Sequence, residues 1–269
     1  MTLTKTAIPW AERTCNVTPF CSRGCPYCYR GRILSSLRCP DCRANRPHWH
    51  PDRLAELTRP TRDGRRLTIF LNSMGETFDP EADHDWYPEI WRAVERSPHQ
   101  IIVLTKRPDR INPHTFAWAE AAGRDWPPNL WLGVSATDQG ELDRRMTNLL
   151  QVVVSGRLIL SLEPALGPYP DLTRWLPYVA WVIFGGLSGS WLPPGWTLRG
   201  SLRKAQAAWA AEVGEQVAAY NKNNPFPIGL FVKREPVWLP SPAPRVEDFP
   251  AEMLIPPPAV EAPEQAALF

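Results

Sequence analysis

Asn129-Leu-Trp-Leu-Gly-Val-Ser135, the helix-compatible stretch Asp138 to Val153, and Arg157-Leu-Ile-Leu-Ser-Leu162 form one strand, helix, strand unit. Both flanking runs are almost continuously apolar, the pattern of strands buried on two faces, and such strands belong to a parallel sheet covered by helices. The alternation continues in both directions. Leu67 to Asn72, Gln100 to Thr105, Val179 to Gly185 and Ile228 to Lys233 read as further strands, and Pro88 to Ser97 and Arg199 to Asn221 as helices. The last helix is Ala-rich and runs into Asn-Lys-Asn-Asn-Pro, a stop signal. Six or seven strand-helix repeats over about 220 residues predict an α/β fold, a partial or complete βα (TIM-like) barrel with parallel strands.

Composition agrees with one large domain. The chain has 269 residues, 43% hydrophobic and 22% charged, which argues against wholesale disorder and against a coiled coil. Apolar runs such as Val179 to Phe184 stop well short of the roughly 18 residues of a membrane span, so no membrane association is expected. Residues 1–10 contain no continuous apolar stretch of the kind that directs secretion, which predicts a reducing, cytoplasmic setting with cysteines as thiols or ligands. After Pro236 the chain turns to Pro and Ala. The expected organisation is therefore a domain over 1–239, with a cluster loop at 15–50, and a flexible, disordered tail over 240–269.

Net charge is only +2 but uneven: residues 1–66 hold thirteen Lys/Arg against five Asp/Glu, while residues 235–269 hold one Arg against six acids. Such a basic segment suits an anionic ligand or nucleic acid, and equally a solvated basic surface.

All six cysteines fall within residues 15–42, which marks a ligand site. Cys21-Ser-Arg-Gly-Cys25-Pro-Tyr-Cys28 has the spacing C-x3-C-x2-C. Three thiolates on one loop suit a [4Fe-4S] cube in which the fourth iron keeps open positions for a small molecule. A zinc knuckle is the alternative, but tetrahedral zinc asks for a fourth ligand in matching spacing.

This triplet, with the aromatic Tyr27 before its last cysteine and strand-helix units downstream, resembles the radical SAM superfamily. The resemblance implies S-adenosylmethionine as the molecule on the open iron, a 5'-deoxyadenosyl radical as the reactive species, and a reductant such as flavodoxin or ferredoxin as electron donor. The superfamily's Gly-Gly-Glu-like motif after a strand, which receives the cofactor's ammonium group, is matched by Ser73-Met-Gly75-Glu76 with one departure. A nearer resemblance is to a phage-associated radical-SAM-like family of unassigned activity. It is carried by His50-Pro-Asp-Arg-Leu54, Asn72-Ser-Met74, Leu104-Thr-Lys-Arg-Pro108, Trp131-Leu-Gly-Val-Ser135, Glu163-Pro-Ala-Leu166 and Gly185-Gly-Leu-Ser-Gly189, in that order.

In a βα barrel the loops after the strands line the functional cavity. Thr105, Lys106 and Arg107, Ser135 with Thr137 and Asp138, Glu163, and Gly185 with Gly186 all fall there. Hydroxyls and carboxylates suit ribose hydroxyls, Lys106 or Arg107 suits a carboxylate or phosphate, and glycines permit close backbone approach. Turns and surface ion pairs are the bland readings of the same residues. Most of the thirteen tryptophans, Trp86, Trp91, Trp118, Trp126, Trp175 and Trp181 among them, lie in apolar patterns that suit packing better than base stacking.

Three thiols remain. Cys39-Pro-Asp-Cys42 with His48 and His50 is a C-x2-C, H-x-H set that suits zinc. Cys15, Cys39 and Cys42 are also compatible with an auxiliary iron-sulfur cluster, a hydrogen-atom donor, or inert thiols. The last residues, Gln265-Ala-Ala-Leu268-Phe269, resemble the peptide with which bacterial repair and replication proteins dock on the sliding clamp. Together these readings predict a radical SAM enzyme acting on nucleic acid, in DNA repair or modification. The alternatives are a metal-binding DNA-processing accessory and a clamp-recruited adaptor, both without radical chemistry.

Overall fold

The computed structural model describes residues 3–111, 127–152 and 157–233. Eight strands form one sheet in chain order: β1 (Thr4–Lys5), β2 (Arg13–Cys15), β3 (Thr68–Leu71), β4 (Gln100–Thr105), β5 (Leu130–Ser135), β6 (Arg157–Leu162), β7 (Trp181–Phe184) and β8 (Gly229–Val232). The ladder from β2 to β8 is parallel throughout, and β1 pairs antiparallel with β2. The described helices are α1 (Pro40–Ala44), α2 (Leu54–Thr58), α3 (Tyr87–Glu95), α4 (Gln139–Val152) and α5 (Arg199–Lys222). Each of the six strands and three helices anticipated from the sequence is present, shifted by two residues or fewer at either end. The two N-terminal strands are additions; β1 and β2 are two and three residues long and carry no apolar run that could announce them.

Why the strand runs are continuously apolar is now visible. Ile101 and Val103 of β4, and Leu130, Leu132 and Val134 of β5, belong to the larger core beneath the helices. The alternate residues Ile102, Trp131, Ile159, Trp181, Ile183 and Phe231 form a second, smaller core on the other face with Trp10 and Ala11. The indole of Trp10 packs 4.9 Å from the ring of Phe70 on β3 and 6.3 Å from that of Trp181 on β7. In a flat sheet those strands would stand roughly 19 Å apart, so the sheet curls around this inner core. It does not close: among the described residues no ladder joins β8 to β1 or β2.

Because β2 to β8 run parallel, their C-terminal ends share one edge. The loops that leave this edge carry Cys21 to Cys28, Ser73 to Glu76, Lys106, Glu163, Gly186 and Lys233. Among the described residues no helix is long and apolar enough to cross a membrane. The tail 240–269, with Gln265, Leu268 and Phe269, lies outside the described residues, as do Trp118 and Trp126.

Candidate metal and cofactor site

The loop after β2 is held in place by side chains from several strand ends. Asn72, at φ 57°, turns the chain after β3, and its Oδ1 accepts from the backbone N–H groups of Val17 and Thr18 at 2.8 and 2.9 Å. Asn16 reciprocates, accepting from Met74 N at 2.8 Å and from the Ser73 hydroxyl at 3.3 Å. The Asp79 carboxylate accepts from both the N–H and the hydroxyl of Ser22 at 2.8 and 2.9 Å. Tyr29 donates its hydroxyl to Ser73 O at 2.5 Å. Arg30, 5% exposed, donates to Pro19 O at 2.6 Å.

Gly75 sits where this loop presses on the turn after β3. A Cβ there would stand 2.1 Å from Thr18 O and 2.9 Å from Phe20 O, both backbone atoms. The next residue, Glu76, donates its N–H to Phe20 O at 2.9 Å. Its carboxylate is 4% exposed and accepts from the Thr105 hydroxyl (2.6 Å), Lys106 N (3.0 Å) and Phe78 N (3.2 Å). Glu76 therefore ties the end of β3 to the end of β4, a duty that the Gly-Glu dipeptide did not disclose.

Cys21, Cys25 and Cys28 line a cavity of about 1160 Å³ at this sheet edge, together with Tyr27, Ser73, Gly75, Glu76, Lys106, Ser135, Glu163 and Gly186. That volume exceeds the roughly 300–1,000 Å³ of a single-ligand pocket. Thr105 and Gly185 do not reach the lining: Thr105 is buried against Glu76, and Gly185 packs so closely on Glu163 that a Cβ would stand 2.8 Å from its Cδ. Thr137 and Asp138 are taken up by the start of α4. Asp138 Oδ1 accepts from Glu141 N at 2.9 Å, and Glu141 reaches back to Thr137 N at 3.1 Å, a variant of the capping box one residue upstream; neither Thr137 nor Asp138 is among the described residues that line the cavity. Glu163 pairs with Lys233 Nζ at 2.7 Å and lies 3.5 Å from the indole N–H of Trp10. Among the described residues eight Lys and Arg line the cavity against four carboxylates.

The electrostatics around the thiols are distinctive. Arg30 faces Cys21, Cys28 and Cys42, and its buried Nε has no hydrogen-bond partner among the described residues. Burial pushes the Cys21 thiol up to about 11. It also raises the Tyr27 hydroxyl, which contacts Cys25. The Tyr27 ring lies 5.9 Å from Trp191. Cys15 is separate: its buried thiol lies 3.7 Å from Arg53 O, and burial pushes it up to about 12, so it stays protonated at neutral pH.

A second set of donors lies beside the loop. Cys39, Cys42, His48 and His50 bring their ligand atoms within 4.8 Å of one another and could hold a metal such as zinc. Cys39 caps α1 and accepts from Cys42 N at 3.5 Å, and this N–H is what lowers the Cys39 thiol pKa. Asn45, the left-handed cap that ends α1, accepts from Cys21 N at 3.1 Å and donates to Cys21 O at 2.9 Å.

Asn16, Arg30, Asn45, Asp79 and Lys233 were not among the residues singled out in the sequence. Only Asn72 had a signal, within the Asn72-Ser-Met74 motif; the others act through partners distant along the chain. Comparison with curated proteins and with solved structures returned no match. Over residues 5–228 the sequence matches the family described as a protein of unknown function, DUF5131, and the chain belongs to that family.

Proposed function

We propose that this protein is a radical SAM enzyme on a partial βα barrel, with a [4Fe-4S] cluster held by Cys21, Cys25 and Cys28 and S-adenosylmethionine bound in the cavity beside it. The observation that carries this reading is the meeting of the three spaced cysteines with the C-terminal ends of the parallel strands in one cavity large enough for a cofactor and part of a substrate. The donor set fits: three thiols and the facing Arg30 guanidinium, whose buried Nε has no hydrogen-bond partner among the described residues. Bound and reduced, such a cluster would supply one electron for the cleavage of S-adenosylmethionine to methionine and a 5'-deoxyadenosyl radical, which would take a hydrogen atom from the substrate.

The chain's own part is positioning. Arg30 offsets thiolate charge, and the buried Glu76 holds the β3 and β4 ends against the loop. Ser135 and the Glu163–Lys233 pair present polar groups that suit a ribose and a carboxylate. The surplus of basic residues around the cavity favours a polyanionic substrate, and nucleic acid is the class we infer, consistent with a role in DNA repair or modification. A flavodoxin or ferredoxin would supply the electron.

The competing reading, a metal-binding accessory without radical chemistry, is favoured by the Cys39, Cys42, His48, His50 set. Anaerobic reconstitution with iron and sulfide separates the two. A reducible cluster with dithionite-dependent cleavage of S-adenosylmethionine supports the enzyme, and each of Cys21→Ala, Cys25→Ala and Cys28→Ala should abolish both signals. A chain that takes up zinc alone refutes it, and a full cluster in Cys25→Ala would move the ligand set elsewhere.

A further inference from the structure

The Cys39, Cys42, His48, His50 group has the dimensions of one tetrahedral ion. Zinc bonds of about 2.3 Å to sulfur and 2.0–2.1 Å to nitrogen place tetrahedral ligands about 3.6 Å apart for a sulfur-nitrogen pair and about 3.3 Å for two nitrogens. The structure has Cys39 Sγ and His48 Nε2 at 3.7 Å, Cys42 Sγ at 3.2 Å from His48 Nε2 and 3.3 Å from His50 Nε2, and the two imidazole Nε2 atoms at 3.1 Å. His48 Nδ1 lies 2.7 Å from Arg46 O, which assigns its proton to Nδ1 and leaves the Nε2 lone pair for a metal. Four protein ligands leave no open position, the mark of a structural site, and two thiolates neutralise a divalent ion.

This group also grips the proposed cluster loop. His50 N donates to Val17 O at 2.8 Å, and Asn45, three residues past Cys42, clamps both backbone groups of Cys21. We propose that Cys39, Cys42, His48 and His50 hold a structural zinc ion, and that this ion fixes Cys21 through Asn45. The first half is independent of the radical reading; the second gains its meaning from Cys21 as a cluster ligand.

Metal analysis of the full chain purified without added iron tests the first half. Equimolar zinc is expected in the wild type and in Cys21→Ala/Cys25→Ala/Cys28→Ala, and its loss in Cys42→Ala/His48→Ala. Cobalt exchanged into the wild type should show the visible bands of a four-coordinate thiolate site. Absence of zinc, iron in its place, or loss of zinc with the triad would overturn it. For the second half, alkylation of Cys21 is followed by mass spectrometry against Cys25 and Cys28 in the same chain. Asn45→Gly keeps the left-handed turn and deletes the amide. Cys21 should react about tenfold faster both in Asn45→Gly with zinc retained and in chelator-treated wild type, the gain in opening that losing two ordinary hydrogen bonds permits. An unchanged rate in Asn45→Gly refutes the coupling, whatever the iron chemistry proves to be.

Discussion

Replacing Gly75 by Ala adds one methyl group where the structure has no room. The new Cβ would stand 2.1 Å from Thr18 O and 2.9 Å from Phe20 O. Neither neighbour is the tip of a flexible side chain, because Thr18 is pinned by Asn72 and Phe20 by Glu76 N. Relief requires the loop to lift away from the turn after β3. Overpacking a tight core costs about 1–3 kcal/mol, occasionally more, and backbone on both sides puts this site at the upper end. Loss of the Glu76 N to Phe20 O bond adds about 1 kcal/mol. A total of about 4 kcal/mol is a large share of the 5–15 kcal/mol that holds an ordinary domain folded. For a domain of this size it should lower Tm by roughly 8–16 °C. Urea and thermal unfolding followed by circular dichroism would measure it. Gly31→Ala is the control, since among the described residues a Cβ there meets nothing within 4 Å, and a change within about 0.5 kcal/mol is expected. If Gly75→Ala were as stable as Gly31→Ala, the close approach of loop and turn would be refuted.

Glu76→Gln should cost about 1–3 kcal/mol in urea unfolding, because either orientation of the amide turns its NH2 on a backbone N–H, that of Phe78 or that of Lys106; an unchanged midpoint would mean that the carboxylate does not hold the strand ends. Lys233→Met removes the partner of Glu163 and should destabilise the fold more than Lys233→Met/Glu163→Leu does; equal losses would show that the pair is not coupled. In a fluorescence polarisation assay with a bacterial sliding clamp, Leu268→Ala/Phe269→Ala should abolish binding by the C-terminal pentapeptide, and equal signals from variant and wild type would dismiss the clamp reading.

The sequence by itself determined what depends on near neighbours. A strand buried on both faces announces itself in six consecutive residues, so Gln100 to Thr105 and Arg157 to Leu162 were legible to the residue. The four candidate ligands Cys39, Cys42, His48 and His50 lie within twelve residues, so short segments suffice to bring them together, and their convergence could be expected from spacing alone. Tertiary structure decided the rest. The curl of the sheet brings Glu163 to Lys233 across seventy positions and sets Trp10 against strands β3 and β7; no local period encodes either meeting. Glu76 offered itself as a free acceptor until the parallel register of β3 and β4 placed Thr105 and Lys106 against it. Likewise Asn45 is an ordinary helix stop in sequence, and becomes the clamp on Cys21 only because α1 packs beside the loop. Hydrogen bonds between distant residues follow from where whole elements come to rest, and that position is set by burial of the two apolar cores rather than by any residue's immediate neighbours.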